Sequence, residues 1–368
     1  MIKIVANYLP QFHRIPENDK WWGEGFTDWV AVKKAKPLFE GHIQPKIPLD
    51  GYYDLSEYGA IKNQVDLANQ YGVYGFAIYH YWFNNDLMLL QKPAEVLLRN
   101  PELKTHFLFL WDNQSWKRTW SQVKAGNDWA PGFDEASTSG SDGVLAKLEY
   151  GEEEDWENHF KYLLPFFCDE RYIKIDNKPV FGFFNSCVKE EAEVLRRMRN
   201  YWNKLAIDEG FSGVLCIGKE SHWKNTFEDK FLYSPFVNNR IRNALIHKIK
   251  DKFMINTKGI RIYDYDECWK ETINNARLSD SHTILSGFVN FDDSPRRGIK
   301  GRIINGSTPA KFERNMMELM KIAKKQGKEY IFLTAWNEWG EGAYLEPDAT
   351  NGYAYLEALK RAIDTCSE

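Results

Sequence analysis

The sequence has few cysteines and lacks the common motifs for zinc and nucleotide binding. Its five cysteines, Cys168, Cys187, Cys216, Cys268 and Cys366, are widely spaced and contain no CxxC pair, so neither a disulfide framework nor a zinc site is expected. GxGxxG does not follow the first predicted strand and GxxxxGK[ST] does not occur, which argues against dinucleotide-binding and P-loop domains. We therefore expect no metal and no cofactor.

Long apolar runs and a positive charge excess are also lacking. No run of 18 apolar residues is present, so no integral membrane segment is expected. The first residues, MIKIVANYLPQF, enter a strand without the features of a signal peptide, which predicts a cytoplasmic protein. The net charge of −4 disfavours nucleic acid or an anionic membrane as partner, because both require a basic face. The oligomeric state is left open.

Aromatic residues, in contrast, are abundant. The chain has 14 Trp, 19 Tyr and 23 Phe, and many of them stand beside Asn, Asp, Gln or His. Most must pack in the core, but an aromatic face next to hydrogen-bonding groups also suits a sugar, which has apolar C–H faces ringed by hydroxyls. The composition thus favours a carbohydrate ligand.

Short apolar strands alternate with amphipathic helices, an order typical of a parallel sheet. Strands are predicted at residues 2–9, 73–81, 106–111, 180–185, 213–218, 232–236, 283–291 and 330–336. Helices are predicted at residues 57–71, 91–99, 153–167, 190–209, 265–277, 309–326 and 352–365. Eight strands that alternate with helices favour an α/β fold with a single closed (β/α)8 TIM barrel over an open sheet.

The barrel is expected to form one catalytic domain, residues 1–368, with long loop insertions at about 113–152 and 237–262. The first insertion is rich in Gly, Ser and Asp, which is typical of a loop. The second is basic and irregular, and we interpret it as an insertion or a lid.

Active sites of such barrels lie at the carboxyl ends of the strands, and polar and aromatic residues accumulate there in this sequence. The candidates for substrate binding are Tyr8, Gln11, Trp22, Tyr79, His80, Trp82, Asp112, Asn113, Trp116, Asn290, Asp292 and Arg296. For several of them a structural role is an open alternative. His80, Tyr8 and Trp22 also fit a core, Asp112 and Asn113 also fit a capped turn, and Asp292 also fits a pair with Arg296.

The most specific motif, Trp336-Asn337-Glu338-Trp339-Gly340-Glu341, ends the last strand. Glycoside cleavage needs one protonated and one ionised carboxyl group. Two carboxylates in a low-dielectric pocket move their pKa values apart, because both cannot ionise at low cost. We therefore predict Glu338 and Glu341 as catalytic residues, with Trp336, Asn337 and Trp339 beside the substrate; the alternative is a solvated acidic loop.

Several segments of the chain together resemble the WbsX-type proteins of bacterial surface-polysaccharide gene clusters. The resemblance rests on Tyr8–His13, Asn18–Gly23, Gly25–Trp29, Ala35–His42, Asp169–Ile173 and Ala335–Pro347, and it is weakest between about 220 and 280. These proteins are similar to glycoside hydrolase family ninety-nine, the endo-α-1,2-mannosidases and mannanases. The resemblance implies a (β/α)8 barrel that retains anomeric configuration without a metal.

The same resemblance implies a role for each glutamate. Glu338 would take the proton of the substrate's own 2-hydroxyl to give a 1,2-anhydro sugar, and Glu341 would protonate the leaving oxygen and then activate water. The chain departs from the family pattern at two places: Gly340 stands where hydrolases often have His, and Gln114-Ser115 stands where WbsX-type proteins usually have Glu-Asn.

Three functions follow from these features. The first is a retaining glycoside hydrolase or transglycosylase acting on α-linked glycans, such as a bacterial oligo- or polysaccharide or its lipid-linked precursor. The second is a glycosyltransferase of O-antigen, capsule or lipopolysaccharide biosynthesis; Asp264-Tyr265-Asp266 has the DxD form, although a helix start explains it equally. The third is a non-catalytic glycan-binding protein, which would not need the acid pair.

Overall fold

A computed structural model describes residues 1–117, 144–185, 187–220, 226–227, 229–235 and 259–367. Eight parallel strands form its centre: β1 Lys3–Tyr8, β2 Gly75–Asn84, β3 His106–Trp111, β4 Lys178–Phe183, β5 Leu215–Lys219, β6 Asp229–Phe231, β7 Thr283–Phe288 and β8 Tyr330–Thr334. Each strand pairs with the next, and β8 pairs with β1. The predicted (β/α)8 barrel is confirmed.

The sixth strand is the one whose position was predicted wrongly. It was expected at residues 232–236, but β6 is Asp229–Phe231, in register with Ile217 of β5 and Thr283 of β7. Two of its three residues are charged and bind exposed partners at the barrel rim, so the strand has no apolar run to reveal it.

The described helices surround the barrel or cross its mouth. They are α1 Pro16–Trp22, α2 Trp29–Lys34, α3 Tyr58–Gln70, α4 Lys92–Arg99, α5 Glu153–Cys168, α6 Lys189–Asp208, α7 Tyr265–Leu278, α8 Ser294–Arg297, α9 Pro309–Lys325 and α10 Ala354–Ser367. In α9 the buried residues Phe312, Met316, Leu319 and Ala323 recur at helical spacing and face the barrel. None of the described helices is long and apolar enough to cross a membrane.

The structure also bears on the predictions for the first connection, the DxD-like sequence and the two insertions. Helices α1 and α2 lie in the long connection between β1 and α3, where no helix was predicted. Asp264 of the DxD-like sequence caps α7 by accepting a hydrogen bond from the Glu267 N–H, so a helix start accounts for it. The interiors of both predicted insertions, residues 118–143 and 236–258, lie outside the described residues.

Candidate active site

Glu338 and Glu341 lie on a compact turn that follows β8 at the carboxyl end of the barrel. The strand Asn337–Glu338 pairs with Ala343–Tyr344 in antiparallel orientation, and the 3-10 turn Trp339–Glu341 connects the two. This short connection places both acidic side chains at the mouth of the barrel, where the sequence predicted them.

Buried contacts on both sides hold this turn in place. The Asn337 amide nitrogen donates to the Leu9 carbonyl at 3.0 Å, and its amide oxygen accepts from the Leu9 N–H at 2.7 Å. The Trp339 indole N–H donates to Glu346 at 2.6 Å, and its ring stacks on Tyr344 with centroids 3.7 Å apart. Asn337 and Trp339 therefore support the turn from behind, and they do not line the cavity described below.

Glu346 is a buried acceptor in this supporting network. Besides the Trp339 indole, it accepts hydrogen bonds from Gln64 and Tyr53, both at 2.7 Å. Tyr8 donates to Gln64 at 2.6 Å, so Tyr8 belongs to this network and not to the surface of the cavity. Burial raises the pKa of Glu346 to about 7, although the donated hydrogen bonds act in the opposite direction.

A cavity of about 310 Å³ opens between the strand ends in front of the turn. A site of this size accommodates a small ligand. Its walls combine acidic, basic, amide and aromatic side chains, namely Leu9, Gln11, Tyr79, Tyr81, Asp112, Gln114, Phe184, Tyr233, Arg296, Arg297, Glu338 and Glu341. The structure thus brings six of the predicted site residues into one cavity: Gln11, Tyr79, Asp112, Arg296, Glu338 and Glu341.

Arg296, from α8, links the two glutamates. Its guanidinium donates to Glu341 at 3.0 Å and to Glu338 at 3.4 Å. The same group forms a bidentate pair with Asp28, with nitrogen–oxygen distances of 3.0 and 3.2 Å. Asp292 does not form the pair with Arg296 that the sequence left open as an alternative; it accepts hydrogen bonds from His42 at 2.7 Å and from Gln44 at 2.6 Å.

The two glutamates differ in exposure. The Glu338 side chain is 6% exposed, whereas that of Glu341 is 24% exposed. Burial and the nearby charge of Glu341 raise the pKa of Glu338 to about 8, while the Arg296 charge counteracts part of the rise. Glu338 therefore binds a proton more tightly than an ordinary glutamate, and its burial in an acidic neighbourhood is the physical reason.

A third carboxyl group, Asp112, enters the cavity from the end of β3, three strands away from β8. Burial raises the pKa of Asp112 to about 6, opposed by a hydrogen bond that Asn185 donates. The ammonium group of Lys219 lies 4.3 Å from the centroid of the Phe184 ring, and burial lowers the pKa of Lys219. Charged groups thus surround the cavity from more than one strand.

Tyrosines that the sequence analysis missed form part of the wall. The Gln11 amide donates to the Tyr81 hydroxyl at 3.0 Å, and the hydroxyls of Tyr79 and Tyr233 are 3.4 Å apart. Alternation along β2 would have indicated Tyr81, since it shares a face with Tyr79. Tyr233 follows β6, the strand whose position was predicted wrongly. Asp28, in the connection between β1 and α3, was likewise not predicted as a site residue.

A second, more apolar cavity adjoins the first, and Gln11 and Arg296 contribute to the walls of both. The predicted residues Trp22 and Trp116 line it together with Asn18, Phe26, Asp28, Ala31, Lys117 and Leu145. Two tryptophan rings beside the acidic cavity provide apolar faces of the kind that sugars contact.

Two predicted site residues, His80 and Trp82, face the helix layer outside the barrel. His80 shares a hydrogen bond with His159 of α5, with the two Nε2 atoms 2.8 Å apart, and Trp82 stacks on His159 with centroids 4.4 Å apart. Burial lowers the pKa of His80 to about 3, so it is a neutral core histidine. The predicted sugar contacts of His80 and Trp82 are incorrect, because odd residues of β2 face the cavity and even ones face α5.

Four further predicted residues, Asn113, Asn290, Asp292 and Trp336, line neither cavity. Asn113 donates to the Tyr150 hydroxyl at 2.9 Å, and Trp336 is fully buried. These four predicted substrate contacts therefore lie outside the walls of the two cavities. Among the residues that the structure describes, no group of three His, Cys, Asp or Glu side chains is arranged to hold a metal ion.

The geometry defines a barrel with an acidic, aromatic-walled cavity at the carboxyl ends of its strands. The sequence matches the family described as Glycosyltransferase WbsX over residues 4–359, and the chain belongs to this family. That description is of glycosyltransferases, which are enzymes that act on carbohydrates.

Individual relatives agree with this membership. Protein WxcX of Xanthomonas campestris pv. campestris, from strains B100 and ATCC 33913, is 31% identical over 377 residues, a match that includes 98% of this chain and 49% of the relative. The chain therefore spans about half the length of the curated relatives it matches.

Solved structures share the barrel. The GH99 endo-alpha-mannosidase from Bacteroides thetaiotaomicron superimposes with a TM-score of 0.58 at 14% identity, covering 100% of this chain and 98% of that one. A glycoside hydrolase-like protein gives a TM-score of 0.54 at 13% identity, covering 98% and 93%. At this level of identity the likeness concerns the fold.

Proposed function

We propose that the chain is a retaining glycoside hydrolase or transglycosylase that acts on α-linked glycans through Glu338 and Glu341. The observation that carries the proposal is the placement of both glutamates on one turn at the wall of one cavity, joined by Arg296. Two acids on the same short turn approach a sugar from one side. Two carboxyl groups on one side of the sugar are well placed to reach the glycosidic oxygen and the neighbouring 2-hydroxyl. Two carboxyl groups on opposite faces of the glycosidic bond are less well placed to reach both.

The proposed first step forms a 1,2-anhydro sugar. In the proposed reactive state the glutamate pair holds one proton, on Glu341. Ionised Glu338 takes the proton of the 2-hydroxyl, the 2-oxygen attacks C1, and the leaving oxygen takes the proton from Glu341. A carboxylate whose pKa is raised to about 8 accepts a hydroxyl proton at lower cost than an ordinary one, so burial of Glu338 favours this role.

The proposed second step opens the three-membered ring. Glu341 removes a proton from water, the oxygen of that water bonds to C1, and the 2-oxygen takes back the proton from Glu338. Two inversions at C1 give net retention. If a sugar hydroxyl replaces water, the same sequence gives transglycosylation, and both glutamates return to their starting protonation states.

The proposed substrate is an α-linked bacterial glycan, either a surface polysaccharide or its lipid-linked precursor, handled in the cytoplasm. The family name and the tryptophan-lined second cavity support a glycan ligand. Glycosyl transfer from a sugar nucleotide is the second candidate, and the description of the family as glycosyltransferases favours it.

The test is a panel of α-1,2-linked mannosides and related α-glycans with product analysis. We expect new reducing ends with retained anomeric configuration, and a loss of about 10²–10⁴-fold in kcat for Glu338→Gln and for Glu341→Gln. Glu40→Gln, which removes an exposed carboxyl group, is the control and should leave kcat unchanged. Consumption of nucleotide sugars would indicate the transferase, and unchanged turnover in both glutamine variants would exclude the catalytic assignment.

A further inference from the structure

Gly340, between the two glutamates, packs directly against the Arg296–Asp28 pair. A β-carbon at position 340 would lie 2.5 Å from Arg296 Nε and 2.5 Å from Asp28 Oδ2, far closer than such atoms approach each other in proteins. A side chain at this position therefore requires the guanidinium or the Asp28 carboxylate to move. Glycine leaves room for the pair in its present position.

The Arg296–Asp28 pair is largely buried, with side chains 17% and 8% exposed. Both residues lie outside the barrel strands, Asp28 immediately before α2 and Arg296 in α8. Asp28 binds two nitrogens of the guanidinium in a fork, which fixes its plane. The guanidinium is thereby directed at Glu338 and Glu341.

We propose that Arg296 is a positioning residue that sets the orientation and charge balance of the glutamate pair, that Asp28 holds it in place, and that Gly340 provides the space for it. The effect of Arg296 on turnover rests on the proposed function. The effect of Arg296 on the charge of Glu338 does not rest on it, because that effect is a property of the unliganded protein.

Other charged groups near the pair have to be included in this balance. Asp112 adds a negative charge across the cavity, and Lys219 adds a positive one near Asp112 and Glu341. Asp293, which precedes α8, is paired with Arg297 of that helix at 3.2 Å. Arg296 contacts both glutamates directly, so its removal changes the field at Glu338 more than a change at these more distant groups.

The direction of the effect follows from the charges. A positive group within hydrogen-bond distance favours an ionised carboxylate, and removing it leaves Glu338 beside Glu341 and Asp28 without compensation. Replacing Arg296 by Gln should therefore raise the pKa of Glu338 by about one unit or more.

The experiment measures protonation of Glu338 in the full chain by infrared difference titration between pH 5 and pH 10. Subtracting the Glu338→Gln spectrum assigns its carboxyl band. We expect a higher midpoint in Arg296→Gln, a smaller rise in Arg296→Lys, and a rise in Gly340→Ala because the added methyl group disturbs the Arg296–Asp28 pair. Arg277→Gln, which removes an exposed pair with Glu318, should leave the midpoint unchanged.

Unchanged midpoints in folded Arg296→Gln and Gly340→Ala would overturn the proposal. If Arg296→Gln does not fold, Arg296→Lys and Gly340→Ala decide, since both keep a positive charge at position 296. The titration needs no substrate, so its outcome is separate from that of the glycan panel. A shifted midpoint with no turnover on any glycan would refute the proposed function and leave the role of Arg296 intact.

Discussion

Replacing Glu338 by Gln should stabilise the protein, and the gain should increase as the pH rises. The pKa of this carboxyl group is about 8 in the folded chain, against an ordinary value of 4.5. Between these values the folded state holds a proton that the unfolded chain releases. Stability from this group is therefore present at low pH and is lost as the pH rises through about 8. Glutamine binds no proton, so the variant avoids the loss.

The magnitude follows from the gap between the two pKa values. At about 1.36 kcal/mol per pH unit, the gap corresponds to an upper bound of about 5 kcal/mol above pH 8. Local relaxation and water entry reduce such buried-charge penalties, so we expect a gain of about 2 kcal/mol. For a chain of this length that is a rise of about 4 °C in Tm.

Thermal unfolding at pH 5.0 and pH 8.5, followed by calorimetry, measures the effect. Glu338→Gln should melt several degrees above the parent at pH 8.5 and close to it at pH 5.0, and Glu40→Gln should follow the parent at both. A difference in Tm that is equal at the two pH values, or a variant that is less stable at pH 8.5, would refute the reasoning. Such a result would mean that burial and the charge of Glu341 do not govern the ionisation of Glu338.

Two further substitutions test the surroundings of the site. Glu346→Gln should lower stability by about 1–3 kcal/mol, because an amide has one acceptor oxygen; if that oxygen accepts from Tyr53 and Trp339, the amide nitrogen faces the donating Gln64 nitrogen. A parent-like Tm would show that this network does not anchor the turn. His80→Gln should lose less stability than the parent between pH 7 and pH 5. Below about pH 6.5 the unfolded chain takes up a proton at His80, whereas the folded chain, in which the pKa of His80 is about 3, does not. This difference destabilises the parent by about 1–2 kcal/mol at pH 5. Exposed His282→Gln is the control, and parallel Tm curves for His80→Gln and the parent would contradict the account.

Most of the barrel could be predicted because its strands are short apolar runs separated by polar turns. β3 was located at residues 106–111, the bounds seen in the structure, since HFLFLW carries its signal within itself. β6 gave no such signal, because Asp229 and Lys230 occupy a strand that owes its place to hydrogen bonds with β5 and β7. Long-range pairing of this kind cannot be read from local composition.

The glutamate turn could be predicted because Glu338 and Glu341 stand in one short segment of the sequence. Which side chains of β2 face the cavity could not be predicted. Both faces of a barrel strand are buried, so hydrophobicity did not separate Tyr79, which faces the cavity, from His80, which faces α5. Asp28 was not recognised because its partner, Arg296, is 268 residues away in the chain.

The hydrogen bonds between Asn337 and Leu9 have a consequence for how the protein is made. They join residues 328 positions apart, where the last strand meets the first. Contacts so distant in sequence form late, after the intervening chain has been synthesised and ordered. During translation the barrel therefore cannot close before β8 has been made. The turn with Glu338 and Glu341 takes its place beside Leu9 only when that closure occurs, so this part of the cavity wall is assembled after the strands that carry Tyr79 and Asp112.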